Sequence, residues 1–105
     1  MEINSIDLQQ KLNNGEKVIV EFWAEWCGPC KMMKPIFEKV SEQVKNEGSE
    51  VQLYTMDVEL NSEYAKELGI RSIPTIKGFT NGSEIFSESG LKQEDTILEM
   101  VGKFN

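Results

Sequence analysis

The chain has 105 residues, 18 acidic and 11 basic side chains, a formal charge of −7 and 39% hydrophobic residues. That is enough apolar material for one core, so residues 1–105 are expected to form a single domain, and the acidic balance argues against independent nucleic-acid binding. Histidine is absent and cysteine occurs twice, which removes Ser-His-Asp and Cys-His catalysis, Cys₂His₂ zinc sites and any Cys₄ site, so no metal is expected.

Ser5 is a candidate N-cap for a first helix in which Leu8 and Leu12 share a face, and Asn13, Asn14 and Gly15 form its stop. Val18–Trp23 reads as a strand that is apolar on both faces except at Glu21, the pattern of a central strand covered on both sides. A long helix follows, in which Cys30, Met33, Phe37, Val40 and Val44 recur at spacings of 3 and 4. Pro35 lies inside it and predicts a kink. Residues 51–58 form a second buried-strand candidate, and Asn61 begins a short helix stopped by Gly69. Asn81 and Gly82 lie between residues 75–79 and 85–86, a hairpin signal. A last helix starts near Lys92, with Ile97, Leu98, Val101 and Phe104 turned inward. This alternation predicts an α/β fold with parallel strands first and an antiparallel hairpin after.

No apolar run is long enough to span a membrane, and the segment 1–4 has neither a basic nor an apolar signal region. A cytoplasmic, reducing setting is therefore expected, and there paired cysteines serve catalysis more often than stapling. The pair lies in Trp26-Cys27-Gly28-Pro29-Cys30-Lys31, between the central strand and the long helix. Two intervening residues put both sulfurs within disulfide reach. Cys27 is expected exposed at the helix N-terminus and Cys30 shielded on the apolar stripe. The helix N-terminus favours a thiolate, lowering a thiol pKa by up to roughly 1.5 units; Lys31 supports this, and Glu25 and the net charge oppose it. Cys27 is then the nucleophile and Cys30 the resolving thiol. A bare Cys-x-x-Cys also fits two packing cysteines or half of a metal site, but the absence of any other Cys or His favours redox chemistry.

The segment from Val20 to Lys31, together with Gly69-Ile70-Arg71-Ser72-Ile73-Pro74-Thr75, resembles the thioredoxin family over essentially the whole chain. The resemblance implies a thioredoxin fold with a central mixed sheet of five strands, four flanking helices and a cis-proline before the fourth strand. It implies a general protein disulfide reductase, an electron-carrier type of thiol-disulfide oxidoreductase with no bound cofactor besides its redox-active Cys27–Cys30 disulfide. It further implies protein disulfide substrates, a thioredoxin reductase linked to NADPH or ferredoxin, a monomer, and no nucleic-acid or membrane partner. Gly28 and Pro29 match the dipeptide that tunes redox potential. Trp26, Ser72, Ile73, Pro74 and Gly90 match the docking surface, where the Ile73 backbone would pair with an extended substrate strand. The alternative is a binding subunit that uses the fold without its redox chemistry.

Glu21 stands where the family usually has a buried aspartate. Burial should raise its pKa and suit it to take the proton from Cys30. Thr55 stands where many members carry a lysine near that carboxylate, so Glu21 is expected to lack a stabilising cation. Lys77 and Gly78 interrupt a strand that is otherwise apolar, and Lys77 is expected either to reach the sheet edge or to pair with a carboxylate.

Overall fold

The computed structural model describes residues 1–105. The elements run α1 (Ser5–Asn13), β1 (Val18–Trp23), α2 (Gly28–Asn46), β2 (Gln52–Asp57), α3 (Ser62–Glu67), β3 (Thr75–Thr80), β4 (Ser83–Ser89) and α4 (Glu94–Gly102). The sheet has the order β2-β1-β3-β4. Only β1 and β2 are parallel; β3 runs antiparallel to β1, and β4 to β3. The sheet is mixed, as expected, but has four strands rather than five, so the cis Ile73–Pro74 bond precedes the third strand instead of the fourth. The missing strand survives as one parallel bridge between Glu2 and Thr55. There the Ile3 N–H donates to the Thr55 carbonyl at 2.8 Å and the Thr55 N–H to the Met1 carbonyl at 2.9 Å. Pairing stops because Asn4, not Ser5, caps α1: its side chain accepts from the Asp7 N–H at 2.8 Å.

Successive side chains of a strand point to opposite faces, and β1 serves a core on each. Ile19 joins Met33, Phe37, Val40 and Val44 of α2 and Ile97 and Met100 of α4. Val18, Val20 and Phe22 join Leu8 of α1, with Tyr64 and Leu68 of the α3 region packed alongside. The result is three layers, with α2 and α4 on one face of the sheet and α1 and α3 on the other. All five residues of the predicted α2 stripe are buried.

The hairpin forms where expected. Asn81 and Gly82 take φ of 53° and 79°, the left-handed pair that a two-residue turn requires. Just before it, β3 is irregular between Gly78 and Phe79. The Phe86 ring lies flat against Gly78, where an added Cβ would sit 2.2 Å from the ring. Phe86 meets Phe104 edge-on, with ring centroids 6.0 Å apart, which docks the end of the chain onto the hairpin. Lys77 is 6% exposed. Its ammonium pairs with Glu84 at 2.6 Å and donates to Ser87 Oγ at 3.2 Å, so the carboxylate partner is the outcome realised.

Candidate active site

Cys27 and Cys30 are joined in a disulfide, with Cα atoms 5.3 Å apart. They lie where β1 ends and α2 begins, so the strand's continuous burial and the helix's apolar stripe meet at the sulfurs. Cys27 is the N-cap of α2, and its Sγ accepts from the Cys30 N–H at 3.2 Å. Gly28 and Pro29 open the helix, both exposed; a Cβ on Gly28 would meet nothing within 4 Å. Proline suits this first turn because its missing N–H would find no partner inside the helix. On reduction the same free N–H groups and the positive end of α2 face a Cys27 thiolate.

The expected contrast in exposure is corrected. Cys27 is only 5% exposed and Cys30 1%. Both pack with Ala24, and Trp23, Val58 and Ile73 close around them. The difference between the sulfurs is therefore one of position, at the cap or inside the helix, more than of burial.

Glu21 is 1% exposed, and neither carboxyl oxygen has a hydrogen-bond partner. Burial pushes its pKa up to about 8. Lys34 draws it down, while Glu2 and Glu38 push it further up. A cation thus does act on Glu21, but it comes from α2, one turn beyond Cys30, and not from β2. Thr55, beside Glu21 in the strand register, turns its hydroxyl to Glu2 Oε1 at 2.6 Å. The Lys34 ammonium lies over the Trp23 ring, 5.0 Å from its centroid.

Around the disulfide, the structure places the expected docking residues in two groups. Trp26, 68% exposed, lines a cavity of about 490 Å³ with Ser72 and Ile73. Val58, Ala65 and Ile70 add apolar wall that the sequence reading missed, and Glu63, Lys66 and Arg71 add charge. Pro74 and Gly90 stand apart from this cavity and bond to each other, the Gly90 N–H donating to the Pro74 carbonyl at 2.8 Å. Ser89, also missed, ties the two segments: its hydroxyl is 3.3 Å from Ser72 Oγ and 3.1 Å from Thr75 Oγ1. No hydrogen bond engages the Ile73 N–H or carbonyl. No group of three or more His, Cys, Asp or Glu side chains is arranged to hold a metal, and no helix is long and apolar enough to cross a membrane.

This geometry has counterparts. The Thioredoxin family model matches residues 1–103. The chain is 40% identical over 95 residues to a thioredoxin of Rickettsia felis, covering 90% of this chain and 88% of that one. It is 46% identical over 84 residues to a thioredoxin of Malassezia sympodialis, covering 79% and 78%. The solved structure of Fasciola hepatica thioredoxin superposes with a TM-score of 0.86 at 28% identity, covering 100% of both chains.

Proposed function

The chain belongs to the thioredoxin family, and on that premise we propose how its own residues divide the work of a protein disulfide reductase. It is a thiol-disulfide oxidoreductase; a binding subunit indifferent to redox chemistry is not favoured for a chain that keeps this cysteine pair. The observation that carries the division of roles is the capping of α2 by Cys27 Sγ.

In our reading, reduced Cys27 is the nucleophile. Its thiolate, held by the Cys30 N–H and the helix N-terminus, attacks one sulfur of a substrate disulfide. A mixed disulfide forms and the first substrate sulfur leaves as a thiolate, which takes a proton from solvent. Cys30 passes its proton to the Glu21 carboxylate and attacks Cys27 Sγ. The second substrate thiolate leaves and is protonated, so the substrate gains two electrons and two protons and the Cys27–Cys30 disulfide returns. A pKa near 8 lets Glu21 run both directions: protonated, it resupplies Cys30 when a reductase opens the disulfide. Gly28 and Pro29 set the geometry of the small ring. Trp26, Ser72 and Ile73, together with Pro74 and Gly90, receive the substrate, and the unpaired Ile73 backbone suits an extended strand.

We further assign the chain to the cytoplasm as a monomer, recycled by a thioredoxin reductase drawing on NADPH or ferredoxin, with no bound cofactor. The test is reduction of a protein disulfide by catalytic amounts of the chain with excess dithiothreitol. Turnover that vanishes in Cys27→Ser supports the assignment; turnover that persists in it overturns Cys27 as nucleophile.

A further inference from the structure

We propose that Glu2, outside the catalytic segment, is a positioning residue that opposes ionisation of Glu21 and fixes the Trp23 indole. The first ground is geometric. Glu2, Thr55 and Glu21 form one row across the sheet: Glu2 bridges Thr55, and Thr55 pairs with Glu21. Two strand spacings, about 10 Å, separate the outer backbones of the row.

The second ground is that the Glu2 carboxylate is held by three donors. Oε1 accepts from Trp23 Nε1 at 3.0 Å and from Thr55 Oγ1 at 2.6 Å, and Oε2 accepts from the Asp57 N–H at 2.8 Å. Three bonds immobilise a carboxylate that would otherwise swing into water. Trp23 stands two residues after Glu21 on the same face of β1 and carries the Lys34 ammonium on its ring. Glu2 therefore sets the position of the indole on which the cation that acts on Glu21 rests.

The third ground is the inventory of charges around Glu21. Helix α2 presents Lys34 and Glu38, with Cys27 and Cys30 at its start; β2 contributes Asp57, whose Oδ1 is taken by the Glu59 and Leu60 N–H groups. From β3, Ile76 pairs with Glu21, and Lys77, next in the strand, points to the other face and is occupied by Glu84. Lys34 is the one cation that draws on Glu21; the carboxylates that oppose it are Glu2 and Glu38, and of these two only Glu2 is fixed by hydrogen bonds. Its negative charge opposes ionisation of Glu21, and the role in turnover rests on the reading of Glu21 as the proton carrier for Cys30.

The experiment is a carboxyl ¹³C titration of Glu21 in the full oxidised chain, where the cysteines do not titrate, the resonance being assigned by its loss in Glu21→Gln. Glu2→Gln should lower the Glu21 midpoint by about half to one unit, and Glu2→Asp, which keeps the charge, should restore most of it. The Trp23 indole N–H resonance should move in Glu2→Ala, and the midpoint difference should shrink in about 1 M salt. An unchanged midpoint in Glu2→Gln overturns the proposal. So does a lowered midpoint accompanied by faster amide exchange in β1 and β2, since that is the mark of a merely loosened fold. If the carboxyl midpoint moves while the pH profile of substrate reduction stays put, Glu2 keeps its role and the proton-carrier reading of Glu21 fails instead.

Discussion

Cys27 caps the helix that carries Cys30: its Sγ accepts the Cys30 N–H at 3.2 Å. The resolving residue thus supplies, through its backbone, a donor to the nucleophile's sulfur, and that donor is independent of the Cys30 side chain. Cys30→Ser should therefore still attack substrate but fail to resolve. A covalent one-to-one adduct with a disulfide substrate should accumulate, visible by mass spectrometry without reductant. Cys27→Ser should give neither adduct nor turnover.

Glu21 is buried without a partner, and its pKa of about 8 lies above the ordinary 4.5. The folded chain holds a proton that the unfolded chain releases above 4.5. Its stability contribution is complete below that pH, declines as pH rises through the window and levels off above about 8. Glu21→Gln removes this dependence. Relative to wild type, its unfolding free energy should improve by about 1.4 kcal/mol per pH unit across the window, whatever the offset at acid pH. Urea unfolding at several pH values between 5 and 9 measures it; a difference that stays flat would show that Glu21 is not held neutral.

The same substitution should slow release of reduced substrate. Loss of a positioned base typically costs about 10² to 10⁴-fold, less where solvent can substitute. Stopped-flow measurement of Trp26 fluorescence during single turnover should show slow resolution with normal mixed-disulfide formation. Equal resolution rates in the two proteins across pH 6 to 9 would remove Glu21 from the proton path.

Gly78 has no room for a methyl group under the Phe86 ring. Gly78→Ala should destabilise by about 1–3 kcal/mol, because the ring must shift away from both the strand and Phe104. Insulin reduction under folding conditions should be unaffected, since neither Gly78 nor Phe86 lines the Trp26 cavity or packs on the cysteine pair. Chemical denaturation together with this assay separates the two effects.

Lys77 and Glu84 form a half-buried pair in which only the lysine is deeply covered. Removing the carboxylate leaves an ammonium with Ser87 Oγ as its one remaining side-chain partner. Glu84→Ala should cost about 1–3 kcal/mol, and Lys77→Met much less, because an apolar isostere leaves no uncompensated charge. Equal losses in thermal unfolding would contradict this asymmetry.

Much of the frame was legible from local pattern. The uninterrupted apolar run of β1, the 3-4 spacing of the α2 stripe and the Asn81-Gly82 turn each depend on near neighbours along the chain, and each formed where expected. The cysteine motif likewise needs only its own spacing and the helix that follows. Local signals were weaker at the ends of elements. Asn61 illustrates this: it occupies the N-cap of α3 without capping it, because its side chain accepts from the Ser5 N–H at 3.0 Å and donates to the Asp57 carbonyl at 3.0 Å.

The amino-acid sequence by itself determined the order of elements, the central strand, the redox pair and the oddity of a carboxylate inside an apolar strand. The tertiary structure alone decided that the segment before α1 adds a single bridge instead of a fifth strand, that Cys27 is nearly as covered as Cys30, and that Lys34 rather than a β2 lysine faces Glu21. It alone brought Glu2 to Trp23 and Thr55, 21 and 53 residues away. The physical reason is range. Helix and turn preferences are set within a few residues, whereas burial, charge environment and proton affinity are sums over whatever the fold packs around a group.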